Sequence, residues 1–293
     1  MTQPPVGATL TRLSLPDRAV ERFETGSLPV YAIGDELVLK FYPAEDADEA
    51  RIEATALDVL DGRLPVATPE PVAHGGVDDW HYLLMRRVPG RGLDEVWPSL
   101  SPAERLRLCE RIGAVAAELH AVTDSRCAEL GPADWAQFVA QRCEAVEAHH
   151  RSQELAPEWL ARIPDFLDSV SLPASPTVLL HTELLREHVF VRRDGERWSV
   201  SGLIDFEPAM TGAREYEFVA ASVYLAGGEA GLWRGFLRGY GLSADEEFAR
   251  RCLAYTLLHR YSSLRTYLTW MPVPGTPSFD ALARLWFGTS MHT

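Results

Sequence analysis

The feature that most constrains the fold is a change of pattern near residue 88. Before it, short β-branched and aromatic runs alternate with turn residues; after it, the apolar spacing is mostly helical. Residues 18–24 and 28–33 read as strands separated by Thr25-Gly26-Ser27, Gly34-Asp35 as a turn, and 36–42 as a third strand. A helix is predicted over 46–60, with Ile52, Ala56, Val59 and Leu60 on one face. Pro65, Pro69 and Pro71 interrupt the chain, His74-Gly75-Gly76 reads as a turn, and 80–88 as an apolar strand closed by Pro89-Gly90. Ser101-Pro102-Ala103-Glu104 has the form of a capping box and opens a helix to about His120. Residues 133–150 and 157–170 predict two more helices, 178–180, 189–192 and 199–204 short strands, and the chain from Tyr216 on is helical and rich in Trp and Tyr. The expectation is an α+β fold with a sheet-bearing lobe over 1–88 and a larger helical lobe over 89–293.

Charge narrows the function. The net charge of −14 argues against nucleic acid, whose phosphates need a basic face. It fits a cationic substrate and a merely solubilising surface equally. No apolar run is long enough to span a membrane, and Met1-Thr2-Gln3-Pro4-Pro5 does not have the form of a secretory signal. Cys109, Cys127, Cys143 and Cys252 show no metal spacing, so they read as reduced thiols in a cytoplasmic protein.

Of the 28 basic residues only Lys40 is a lysine. In a chain that uses arginine everywhere else, a retained lysine marks a place that needs a compact ammonium. Lys40 falls on the third predicted strand. There it can neutralise nucleotide phosphates, with Gly26 and Ser27 offering backbone N–H groups and an inward-facing helix glutamate, Glu53 (or else Glu49), holding it in place.

Two further segments follow in the order such chemistry needs. His181-Thr182-Glu183-Leu184-Leu185-Arg186-Glu187-His188 has the spacing of a kinase-type catalytic loop, with Glu183 at the base position and His188 at the metal position. Gly202-Leu203-Ile204-Asp205-Phe206-Glu207 is an apolar strand ending in a carboxylate suited to Mg²⁺. Arg186 is a candidate for stabilising the transferred phosphoryl group, although a surface arginine is the simpler reading. His181 reads as a packed structural residue of the loop, and His149, His150 and His292 as surface residues. Tyr255, His259, Tyr261, Tyr267 and Trp270 suit either an acceptor site or core packing.

Together with Val38-Leu39-Lys40, Met85-Arg86-Arg87-Val88-Pro89-Gly90, Leu119-His120 and Gly212-Ala213-Arg214-Glu215-Tyr216-Glu217, these segments make the chain, from about residue 20 to 270, resemble the aminoglycoside phosphotransferase and choline-kinase-like family. The resemblance implies a protein-kinase-like two-lobe fold and transfer of the γ-phosphoryl of ATP or GTP to a hydroxyl of an antibiotic-like small molecule, with Mg²⁺. It implies Lys40 on phosphates, Glu53 as its partner, backbone groups of Arg86 and Val88 on the base, and Asp205 on the metal. It places Asp134, Trp135 and Glu144 on helices walling the acceptor pocket. The chain departs from the family's aspartate base, asparagine and later aspartate, having Glu183, His188 and Glu217 there. One methylene more at the base shifts the carboxylate by about 1 Å, which costs rate unless the loop is set back. Imidazole is a poor substitute for an amide oxygen on Mg²⁺, so the expectation is one main metal on Asp205, with His188 a hydrogen-bond donor or weak ligand. The alternatives are a pseudokinase binding module and a metabolic sugar or amino-alcohol kinase. Monomer and homodimer are both compatible with the sequence.

Overall fold

A computed structural model describes residues 3–173, 176–273 and 275–288, so His292 lies outside the described residues. Helix α1 (Val6–Arg12) precedes strands β1 (Val20–Arg22), β2 (Val30–Ile33) and β3 (Leu37–Pro43), helix α2 (Ala47–Leu60), and strands β4 (Pro71–Val77) and β5 (Trp80–Arg86). The five strands form one antiparallel sheet in the order β1-β2-β3-β5-β4, which makes β3 central. Side chains alternate across it. Leu39 and Phe41 pack with Leu10 of α1, Trp80 and Leu84, while Tyr42 belongs to the large core that α2 shares with the rest of the molecule. Lys40, between them, pairs in register with Val30 and Leu83 and is buried.

The second lobe opens with β6 (Arg91–Gly92), α3 (Leu93–Val96) and α4 (Pro102–His120). The capping box is formed: the Glu104 N–H donates to Ser101 Oγ (3.3 Å) and the Ser101 N–H to Glu104 Oε2 (2.9 Å). Then come α5 (Trp135–Ser152), α6 (Pro157–Leu160), α7 (Ile163–Asp168), and the short strands β7 (Val178–Leu180), β8 (Val189–Asp194), β9 (Arg197–Leu203) and β10 (Met210–Gly212). Helices α8 (Arg214–Ala220), α9 (Ala230–Tyr240), α10 (Glu246–Leu258), α11 (Leu264–Trp270) and α12 (Phe279–Phe287) complete it. A small antiparallel-sheet lobe is thus joined to a larger helical one, the two-lobe α+β fold the pattern predicts. None of the helices among the described residues is long and apolar enough to cross a membrane.

Three local expectations are corrected and one helix is added. His74-Gly75-Gly76 lies inside β4, and the turn falls at Asp78, whose φ is +52°. Gly75 is there because a Cβ would meet the Tyr82 hydroxyl at 3.0 Å. The single helix predicted over 157–170 is two, because Pro164 has no N–H to continue a helix and starts a new one. Helix α1 escaped notice, although Val6, Leu10 and Leu13 have helical spacing. His149 and His150 are not surface residues: each places Nε2 against a carbonyl, of Ser262 (2.8 Å) and Leu257 (3.0 Å), and His150 is fully buried.

Helices α4 and α9 cross so closely that a Cβ at Gly239 would overlap the Glu110 carbonyl, and one at Gly113 the Phe236 carbonyl. Gly239→Ala is expected to lower the unfolding free energy by roughly 1–3 kcal/mol, read from urea unfolding; an unchanged midpoint would show that the helices can separate freely. His150 gives a pH signature. Burial holds its pKa down to about 4, against 6.5 for the free side chain. A base whose folded pKa lies below its unfolded value contributes stability above about 6.5, lost as the pH falls through 4. We expect stability to drop by on the order of 3 kcal/mol over that interval, and by less in His150→Gln. Equal slopes for the two proteins would exclude His150 as the cause.

Candidate active site

Lys40 stands at the junction of the lobes. Its Nζ is 3.0 Å from Glu53 Oε2 and is also ion-paired with Asp205 and Glu207. Burial alone would depress its pKa, but Glu53, Tyr42, Asp205 and Glu207 outweigh it and hold the ammonium charged. Glu53 sits one turn before Ala56 and Leu57 on the inward side of α2. It accepts from the Tyr42 hydroxyl and, at Oε1, from the Phe206 N–H (3.1 Å). One carboxylate therefore ties β3 to the turn after β9. The fallback Glu49 is not Lys40's ion-pair partner; it lines the cleft instead.

Asp205 has a φ of +72°, the left-handed region that aspartate tolerates better than most side chains. That turn directs Oδ1 to Lys40 and Oδ2 to His188 Nε2 (3.1 Å). Burial would raise its pKa, yet Lys40 and His188 keep it well below the carboxylate range. Glu207, two residues on, goes the other way: burial, with Asp205 and Glu53 adding to it and Lys40 opposing, pushes it up to about 8. The sequence signal for Glu207 is its i,i+2 spacing from Asp205.

The loop between β7 and β8 is fixed from beneath. The N–H groups of His181 (2.6 Å) and Thr182 (3.1 Å) donate to Glu217 Oε2 of α8. His181 is buried, its Nε2 donating to the Ile204 carbonyl (2.9 Å) and its Nδ1 accepting from the Glu183 N–H (3.3 Å). Burial lowers its pKa and keeps it neutral. His188 is held by Nδ1, which donates to the Glu183 carbonyl (2.9 Å). Its burial would favour the neutral ring, but Asp205 and then Glu183 raise its pKa to about 9. The Glu183 carboxylate is half-buried, and desolvation raises its pKa. Two donor groups converge here, Glu183 with His188 and Asp205, and Glu53 with Asp205 and Glu207. Carboxylates gathered around one turn suit a hard divalent cation.

Two cavities meet at Glu183. A cleft of about 660 Å³ runs under the β1–β2 hairpin, lined by Ser27, Arg22, Glu49, Glu207 and Tyr261 as well. A small cavity of about 70 Å³ lies behind, lined by Thr182, Tyr224, His259, Tyr261 and Tyr267. Gly26 is exposed at the hairpin tip with φ +103°. Arg86 ends β5 with its N–H donated to the Glu70 carbonyl (2.8 Å), and Val88 lies in the connection to β6.

Several candidates stand elsewhere. Arg186 does not face the cleft: Nε and Nη2 donate to the Leu225 carbonyl (3.0 and 2.8 Å), and the guanidinium lies 4.0 Å from the Trp97 ring centre. Helix-terminal carbonyls lack partners in their own helix, and Arg186 supplies one. Asp134 caps α5 by accepting from the Gln137 N–H (3.0 Å). Trp135 and Tyr255 are buried together with Tyr216, and Glu144 is exposed on α5. Of the predicted acceptor residues, Tyr261 and Tyr267 line the small cavity, and so does His259. Its ring stacks on Tyr216 (4.4 Å), and burial, then Arg260 and Arg142, lowers its pKa to about 3. Thr182 and Tyr224 were not foreseen; Tyr224 follows α8 in a stretch the sequence marks only as apolar helix.

Residues 19–254 match the model of the phosphotransferase enzyme family, and the chain belongs to that family. The fold is shared with solved structures of low sequence identity. One is the aminoglycoside phosphotransferase APH(2″)-IIIa with GDP and kanamycin, at TM-score 0.71 and 20% identity over 85% of this chain and 88% of that one. Another is a streptomycin–ATP complex of APH(2″)-IIa, at 0.65 and 15% over 98% and 99%. A third is macrolide 2′-phosphotransferase MphH from Brachybacterium faecium, at 0.61 and 21% over 95% and 97%.

Lys40→Met would leave Glu53, Asp205 and Glu207 facing one another without a cation. We expect a loss of on the order of 3 kcal/mol at pH 8, shrinking at pH 5 as the carboxylates take up protons. Equal losses at both pH values, from chemical unfolding, would show that the three do not act as one charge cluster.

Proposed function

We propose that this phosphotransferase moves the γ-phosphoryl group of ATP or GTP to a hydroxyl of an antibiotic-like acceptor. The observation that carries the reading is the meeting of the sole lysine with Glu53, Asp205 and Glu207, the last of which lines the same cleft as Glu183. The nucleotide lies in the large cleft, with Ser27 and Gly26 above its phosphates, Lys40 on the α- and β-phosphates, and the Arg86–Val88 connection at the base. The acceptor presents its hydroxyl to Glu183, which takes the proton, with only its reacting end reaching the cavity of about 70 Å³ beside Tyr224, His259 and Tyr261. Desolvation makes Glu183 a stronger base than a solvated glutamate. Asp205, with Glu207 and His188 beside it, holds the divalent cation that neutralises phosphate charge. An aminoglycoside suits a net charge of −14; another sugar-bearing antibiotic and a nucleoside antibiotic are the other acceptors of this kind. The structural neighbours solved with kanamycin and streptomycin support the first of these. Unpaired cysteines, two of them buried, support a reducing, cytoplasmic setting.

Glu183→Ala is expected to lower turnover by about 10²-fold or more while the affinity for ATP and GTP, read by thermal shift with Mg²⁺, stays within about threefold. Full turnover in the variant would place the base elsewhere. A wild-type protein that binds nucleotide but modifies no member of an antibiotic panel would favour a binding module or a metabolic kinase.

A further inference from the structure

His188 is the loop residue whose chemistry phosphoryl transfer alone leaves unused. Its ring is buried and both nitrogens have fixed neighbours. A carbonyl only accepts, so the 2.9 Å contact with the Glu183 carbonyl puts a hydrogen on Nδ1. Nε2 points at Asp205 Oδ2 across 3.1 Å, and a cation that takes this nitrogen displaces the proton shared with Asp205. Donor atoms of Glu183, His188 and Asp205 all come within 4.8 Å of one another. A ring pinned through one nitrogen by a backbone carbonyl, with the other turned to carboxylates, is how imidazole ligands are oriented on metals generally. The neighbouring His181 cannot serve, since both its nitrogens are spent on the backbone. An asparagine in this place would offer the same pair, an amide N–H to the carbonyl and an oxygen to the cation. The imidazole keeps that pattern and replaces a hard oxygen by a borderline nitrogen.

We propose that Glu183, His188 and Asp205 form a divalent-cation site with an imidazole donor, and that this donor selects Mn²⁺ or a similar first-row ion over Mg²⁺. Mg²⁺ prefers an all-oxygen shell and sheds water reluctantly, whereas imidazole suits the transition ions. The carboxylate group of Glu53, Asp205 and Glu207 on the other side of Asp205 offers only oxygen and confers no such preference. Use of the cation in catalysis rests on the phosphotransferase reading; its binding does not.

The test uses Mn²⁺ on the full chain, with and without ADP, followed by electron paramagnetic resonance and its spin-echo modulation. The wild type is expected to show ¹⁴N coupling from one imidazole, lost in His188→Asn. The variant should bind Mn²⁺ about tenfold more weakly, with Mg²⁺, read by competition, weakened less. Bound Mn²⁺ with no nitrogen coupling in the wild type overturns the proposal, as does an unchanged Mn²⁺/Mg²⁺ ratio in the variant or the absence of Mn²⁺ binding in both conditions. Calorimetry with ADP alone reports separately on the nucleotide site. Nitrogen-coupled Mn²⁺ in a protein that binds no nucleotide would sink the kinase reading and keep this one; nucleotide binding with oxygen-only Mn²⁺ would do the reverse.

Discussion

One buried ammonium holds the two lobes in register. Lys40 is carried by the central strand of the small sheet, Glu53 by the helix packed beneath it, and Asp205 and Glu207 by the turn after β9 in the large lobe. Removing an ion from water costs several kcal/mol, recovered only if partners surround it closely. Three carboxylates do so here, and Glu53 is itself fixed by Tyr42 and the Phe206 N–H. The same cluster that joins the lobes is the one the proposed nucleotide site uses, so in that reading binding and lobe geometry are one problem.

The loop bearing Glu183 is held differently, by hydrogen bonds to its backbone and by packing. Glu217 takes two consecutive backbone N–H groups, His181 pins the strand end at Ile204, and the ring of Phe206 lies 4.5 Å from that of His181. Thr182 is kept at a φ of +71°, a conformation that needs such surroundings. This rigidity bears on the glutamate at the base position. A longer side chain can serve only if its backbone is held at a fixed distance from the acceptor, and a loop clamped at both ends supplies that condition.

Charge and shape divide the labour between the two cavities. Carboxylates line the large cleft at Glu49, Glu183 and Glu207, so the proposed triphosphate would need accompanying cations there. The small cavity is walled by tyrosine rings, with Glu183 as its acidic group. At about 70 Å³ it is too small for a whole sugar-bearing molecule.

The sequence by itself determined the order of elements and the reacting groups that local patterns carry. The shift from strand to helical spacing separated the lobes, the lone lysine marked β3, and the loop spacing marked Glu183, His188 and Asp205. Those signals are local, because periodicity and short motifs are properties of neighbouring residues. Tertiary structure alone decided which polar side chains face the cleft. Arg186 lies three residues from Glu183, yet the Leu225 carbonyl and the Trp97 ring claim it; Trp135 and Tyr255 are drawn into an aromatic core; Tyr224 reaches the small cavity from the helical segment after α8. The direction of a side chain depends on packing partners distant in the chain, and a single sequence does not contain their positions.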